Sequence, residues 1–288
     1  MNGVIVVDKP GGLTSFDVVA KVRRALGERR VGHTGTLDPM ATGVLPVCVG
    51  DATKLVPFLM SGDKEYEAEA LLGVTTDTLD AMGKVLATVD AGGIVREQLL
   101  AVLPRFVGTI QQRPPMHSAL RIDGKRLYEL ARQGVEVDRQ ARPVVMHAIE
   151  LLAAELPRFR LRVRCGKGTY IRSLVADMGE VLGVGAHLTA LRRTRVGAFT
   201  LADAVTIETL TPATVLRSPA EALADHPTLR LDAEVTRDVR AGKLRTMATL
   251  MPPVPGYDGH VRLIGPDGGL VAVADARDGR LTLARVFC

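Results

Sequence analysis

The sequence predicts an α+β fold. Apolar residues recur at helical spacing in only two stretches of the body, strand-like alternation or short apolar runs recur in several others, and the two kinds do not take turns as a doubly wound chain requires. A tail broken by Gly- and Pro-containing turns adds a further all-β piece.

The elements follow in chain order. Val4-Ile5-Val6-Val7 is a strand that Asp8-Lys9-Pro10 interrupts. After the Gly11-Gly12-Leu13 turn, a helix runs from about Thr14 to Gly27, with Thr14 and Asp17 spaced as a capping box and Gly27 as a stop. Arg23, Arg24, Arg29 and Arg30 lie at its far end. From Arg30 to Leu45 the glycines 32, 35 and 43 and Pro39 make a poor helix and a poor strand, so a turned loop is expected around Asp38. Val44–Val49 is an apolar run, 64–73 reads as a strand with one polar face, and Thr75–Gly83 is turn-rich. Residues 111–120 are too proline-laden for regular structure and open a basic stretch ending near Arg142. A second helix is expected from Ser173 to Leu182, closed by Gly183. Residues 202–226 read as a helical bridge, and from about Thr228 short apolar runs separated by Pro266-Asp267-Gly268-Gly269 and Asp278-Gly279 signal hairpins.

Length and composition frame these elements. A chain of 288 residues exceeds a typical single domain, so a large domain over 1–226 and a small β domain over 227–288 are expected. No signal peptide is expected from the short N-terminal apolar run. No apolar stretch reaches the roughly 18 residues of a membrane span. Cys48, Cys165 and Cys288 are far apart, which argues against a disulfide framework and against a metal site and points to a reducing cytoplasm.

Charge is unevenly distributed. The chain carries a formal +5, but residues 105–200 hold 17 basic against 8 acidic side chains, the footprint of a polyanion-binding face. Within them, strict alternation over Arg158–Cys165 predicts a strand burying Phe159, Leu161, Val163 and Cys165. Its other face would carry four arginines, which repel one another unless phosphates or carboxylates lie over them.

The block Arg30-Val31-Gly32-His33-Thr34-Gly35-Thr36-Leu37-Asp38-Pro39-Met40-Ala41-Thr42-Gly43-Val44-Leu45 closely resembles the catalytic motif of TruB-type tRNA pseudouridine synthases. Gly166-Lys167-Gly168-Thr169-Tyr170-Ile171-Arg172 and the block 188–193 resemble further family blocks, in the same order. The resemblance covers roughly residues 3–200, with a weaker continuation to the end. It implies Asp38 as the catalytic carboxylate and His33, Tyr66, Tyr170, Arg172, Leu191, Lys9 and Asp80 as substrate-binding positions, with no metal and no cofactor. It implies an RNA-clamping insertion at about 111–142, a PUA-like tail, and uridine 55 in the T arm of tRNA as substrate. No obligatory protein partner is implied, and a monomer is the default. One departure is His117, where family members more often carry tyrosine.

Residue chemistry fits this reading. Isomerising uridine to pseudouridine exchanges no group with another molecule and oxidises nothing, so it calls for an ionised carboxylate near sugar and base. An adjacent guanidinium such as Arg172 lowers a carboxylate pKa by about 1 to 3 units. A flipped base costs about a few kcal/mol to unstack, of which an aromatic platform such as Tyr66 returns roughly 1 to 3. Two alternatives use the same residues: an RNA-binding or tRNA-folding module without essential catalysis, and a nucleic-acid glycosylase that releases free base.

Overall fold

The computed structural model describes residues 1–118, 120–122, 125–135 and 137–287; Ala119, within the proline-laden segment, and Cys288 lie outside the described residues. A nine-stranded sheet is built in the order Gly3–Lys9, Thr42–Val49, Ala186–Val196, Lys64–Leu72, Arg158–Cys165, Arg142–Glu155, Gly108–Gln112. Val31–His33 pairs with Thr42–Val49, and Phe199–Thr200 with Ala186–Val196. Every pairing is antiparallel except Thr42–Val49 with Ala186–Val196, where Arg192 and Arg193 lie opposite Thr42 and Gly43. The α+β expectation therefore holds.

Two helices cover one face of this sheet. Ser15–Leu26 is capped as its sequence requires: Asp17 N donates to the Thr14 side chain, and Gly27 closes the helix in the left-handed conformation. It buries Val18, Val19, Val22 and Leu26, while Ile171–Val181 buries Leu174, Val175 and Met178. Both sets join a core with Tyr66, Ala68, Leu161, Val163 and Leu191, so the helices and the inward residues of the central strands share one side.

The tail forms a four-stranded sheet of Thr228–Arg230, Gly259–Ile264, Leu270–Arg277 and Arg280–Val286. The expected hairpins are present. Two short helices, Ala233–Arg240 and Leu244–Thr249, were not legible among the turn signals. Ile264, Leu270, Val273 and Phe287 of this tail pack with Val4, Val6, Val44, Cys48 and Phe58 of the body in one apolar cluster.

Residues 202–226 depart from the helical bridge expected of them. They hold 3-10 turns at Leu201–Asp203 and Ile207–Thr209, a four-residue helix Pro219–Ala222, and otherwise extended or turned chain. The edge strand Gly3–Lys9 decides this. Its outward backbone groups need partners, and Val205 and Arg217 supply them through Asp8 N to Val205 O (2.9 Å), Val205 N to Val6 O (2.9 Å), and a reciprocal pair between Val4 and Arg217. Threonines, valine and prolines in the segment give a helix little to set against that. Among the described residues, no helix is long and apolar enough to cross a membrane.

Because Phe287 is buried where tail and body meet, Phe287→Ala is expected to cost about 3–5 kcal/mol of unfolding free energy. Urea unfolding of the whole chain measures it; a loss below about 1 kcal/mol would show that the shared cluster is not holding the tail.

Candidate active site

Asp38 sits on a loop, residues 34–41, between the strands Val31–His33 and Thr42–Val49. Carbonyls along such a loop would be free to wander, but two buried cations hold them. Lys9, fully buried at the end of the first strand, donates its Nζ to Ala41 O (2.6 Å), Pro10 O (2.9 Å) and Pro39 O (3.2 Å). Arg193, equally buried, donates Nε to Val44 O (2.8 Å) and an Nη to Gly35 O (3.1 Å). Lys9 thus grips the apex of the loop and Arg193 its neck. Gly43 makes the close approach possible: its φ is +100°, and a Cβ there would run into the Arg193 carbonyl. On the helix side, Leu37 N donates to Ser15 Oγ at 2.8 Å.

Against this loop stands Arg172, the second residue of Ile171–Val181, only 3% exposed. Its Nε donates to Asp38 Oδ2 (2.9 Å) and an Nη to Asp38 Oδ1 (3.0 Å), a two-pronged pairing that fixes the carboxylate plane. The remaining Nη donors reach Thr78 O (2.9 Å) and His117 O (2.7 Å). Asp80 Oδ2 lies 3.7 Å from Nε. Asp80 is itself fixed by Thr78 Oγ1 (2.6 Å) and Met82 N (3.0 Å), both donating to its Oδ1. The helix carrying Arg172 is tied in by Gln112, whose side-chain amide receives Tyr170 N (2.8 Å) and donates to Tyr170 O (3.0 Å).

The other predicted positions divide. Tyr66 lies directly across from Arg193 on the neighbouring strand, and Leu191 across from Ala68, on the same buried face. His33 ends its strand and accepts from Gly35 N at 3.2 Å. Tyr170 caps the Arg172 helix, with the Arg142 guanidinium 5.4 Å from its ring centroid. Lys9 donates to the backbone carbonyls of Pro10, Pro39 and Ala41, which ties the loop to the end of the first strand. His117 contributes a backbone carbonyl, which explains how this position can depart from tyrosine without losing its tie to Arg172.

Sequence reading missed Arg193 and Gln112. Arg193 was within reach, since it follows Leu191 by two residues and a strand puts both on one face. Gln112 gives no sequence signal, because its partner is a backbone 58 positions away.

Residues 23–171 match the family model of the TruB family pseudouridylate synthase N-terminal domain, and residues 172–232 match that of the tRNA pseudouridylate synthase B C-terminal domain. The chain belongs to the TruB family of pseudouridylate synthases. It is 45% identical over 301 residues to the tRNA pseudouridine synthase B of Syntrophotalea carbinolica, covering 100% of this chain and 98% of that one. To the protein of that name from Aromatoleum aromaticum it is 46% identical over 290 residues, covering 99% and 91%. Among solved structures it resembles the Cbf5-Nop10-Gar1 complex with a TM-score of 0.76 and 28% identity over 99% of this chain and 85% of that chain. A structure of an H/ACA RNP bound to a substrate RNA containing 2'-deoxyuridine matches with a TM-score of 0.73 and 26% identity, over 99% and 85%. The chain is therefore an isomerase of the TruB family; of its C-terminal sheet, Thr228–Arg230 falls within the matched residues 172–232 and the other three strands lie beyond them.

Electrostatics of the TruB-family site follow from burial. Loss of water raises the Asp38 pKa, while Arg172, and more weakly Lys9, pull it back. Burial raises the Tyr66 phenol above its usual value against the pull of Arg193, so it stays protonated at neutral pH. His33 is lowered by burial and by Arg193, and is neutral there.

The arginine-rich strand proves to be another kind of surface. Phe159, Leu161, Val163 and Cys165 are buried as expected, but carboxylates lie over two of the four arginines. Arg162 pairs with Glu67 (3.0 Å) and Glu150 (3.1 Å), and Arg160 with Glu67 (3.6 Å) and Glu69 (3.7 Å). This ladder lies on the sheet face opposite Tyr66 and Val163. Arg160 and Arg162 are thus neutralised within the protein, while Arg158 and Arg164 form no ion pair among the described residues.

Burial lowers Lys9 from 10.5 to about 8, and does the same to Lys64. Between these values the unfolded chain holds more protons than the folded one, so stability should rise with pH from about 8 toward 10.5. Lys9→Met is expected to remove roughly half of that gain, read by urea unfolding at about pH 7.5 and about pH 10; an undiminished gain would place the titrating amine elsewhere.

Proposed function

We propose that this chain converts uridine 55 in the T loop of tRNA to pseudouridine, with Asp38 as the catalytic carboxylate. The observation that carries the reading is the Asp38–Arg172 pair: a carboxylate held in two prongs by a buried guanidinium, yet with 31% of its side-chain surface open. The family and the printed names of its 45–46% identical relatives support the substrate.

In this reading the target base leaves its stack and lies against Tyr66 and Leu191, and stacking on Tyr66 returns about 1–3 kcal/mol of the unstacking cost. Asp38 acts as an anion toward the ribose and base. The N1–C1′ bond breaks, the uracil turns, a C5–C1′ bond forms, and the proton on C5 is lost while N1 gains one. Atoms and electrons balance without a co-reactant. Arg172 holds the carboxylate plane, Asp80 and the carbonyls of Thr78 and His117 hold Arg172, and Lys9 and Arg193 hold the loop. The protonated Tyr66 phenol and the neutral His33 present no charge of their own to the base. Arg142, stacked on Tyr170 at the edge of the site, is placed to meet a phosphate.

Tritium release from unmodified tRNA labelled at uridine C5 tests the assignment. Asp38→Asn should abolish release while tRNA binding remains, and the native product should be pseudouridine. Tight binding with no release by the native chain would leave an RNA-folding module instead.

The ionised carboxylate gives a signed pH dependence. Single-turnover rates should climb with pH as Asp38 deprotonates and then level off. Arg172→Met removes the strongest force opposing the burial shift and leaves Asp38 facing Asp80, so the acidic limb should move to higher pH. A variant whose limb coincides with the native one would separate Arg172 from the ionisation of Asp38.

A further inference from the structure

The first helix, Ser15–Leu26, is fastened to the Asp38 loop on one side and bare on the other. Leu37 N donates to Ser15 Oγ (2.8 Å) and Ser15 Oγ to Leu37 O (3.3 Å), which fixes the next residue, Phe16, beside the loop. Phe16 is 66% exposed, whereas Phe58, Phe106, Phe159, Phe199 and Phe287 are all below 10%. Ala20, Lys21 and Arg24 continue the same outer surface, all exposed. Lys21 and Arg24 form no hydrogen bond or ion pair among the described residues. Arg23 turns inward to Val31 O (3.0 Å), and the Asp17 carboxylate takes its hydrogen bonds from Thr14 (2.6 and 2.9 Å), with Lys21 acting on it only at longer range.

An aromatic ring and two unpaired cations along about 12 Å of helix are the ingredients of a nucleic-acid strand contact. The ring offers a stacking face, and the cations sit about one and two helical turns further on. Among the exposed residues of this helix Ala20 is the only other apolar side chain, so the helix face is ill suited to a protein partner. We propose that this helix face is a second RNA-contact surface of the enzyme, on which the strand flanking the target nucleotide crosses Lys21 and Arg24 and stacks one base on Phe16. The inference rests on the tRNA reading above for the identity of the strand.

Equilibrium binding of an unmodified tRNA transcript at several salt concentrations tests it. Phe16→Ala should weaken Kd by about 5- to 150-fold, and Phe16→Trp should hold it near the native value. Lys21→Gln with Arg24→Gln should flatten the dependence of log Kd on log salt by about 0.7 per lost phosphate contact, while Phe16→Ala leaves that slope alone. All these side chains are exposed, so each variant should melt at the native Tm. Native Kd in Phe16→Ala, or a native salt slope in the double variant, overturns the surface. Failure of the functional reading looks different: the native chain would release no tritium whether or not Phe16→Ala changed binding.

Discussion

Asp38 and Arg172 meet across 134 positions of sequence, and the rest of the site keeps that guanidinium where it is. A buried arginine has given up hydration worth several kcal/mol and tolerates this only when its donors find acceptors. Here they come from three separate pieces of chain: the motif loop through Asp38, the 76–83 turn through Thr78 and Asp80, and the irregular segment after Gly108–Gln112 through His117. Shifting any one piece leaves a buried positive charge short of a partner. The same requirement therefore closes the site and sets the orientation of the carboxylate.

A second constraint lies beneath the loop. Lys9 and Arg193 are cations without carboxylate partners at hydrogen-bond distance, and they spend their donors on backbone carbonyls instead. That choice turns a glycine-containing loop into a rigid one, since each bond fixes backbone rather than a mobile side chain. It also places positive charge below Asp38. Burial alone would drive the carboxyl toward its neutral form, and Arg172, with Lys9 behind the loop, works against that. Position and ionisation are thus maintained by the same side chains.

What could be read from sequence was local. The first helix announces its start in Thr14 and Asp17 and its end in Gly27, all within one short stretch, and the structure follows. The Asp38 loop is legible for the same reason. Contacts that cross the chain onto backbone are invisible, because a carbonyl belongs to every residue type: nothing in the sequence marks Thr78 O or His117 O as acceptors, or Tyr170 as the partner of Gln112. The tail bridge was misread because composition was weighed without knowing that an edge strand would be waiting for it. Val205 and Arg217 answer to Gly3–Lys9, not to their own neighbours.

Charge shows the same limit in sharper form. Arg158, Arg160, Arg162 and Arg164 form the densest run of arginines in the sequence, yet the neighbouring strands set Glu69 opposite Arg160, Glu67 and Glu150 opposite Arg162, and Glu65 opposite Arg164. Across the sheet Arg160 and Arg162 are thereby paired, although along the chain Glu67 lies 95 positions from Arg162. Attraction for a polyanion must come from cations that the fold leaves without carboxylates. On the helix beside the motif loop, Lys21 and Arg24 form no ion pair among the described residues, and they lie on the outer surface of the helix whose inner surface holds Leu37. An enzyme that must draw a folded RNA onto a recessed carboxylate gains from unspent charge at the rim and loses nothing by pairing Arg160 and Arg162 on the back of its sheet.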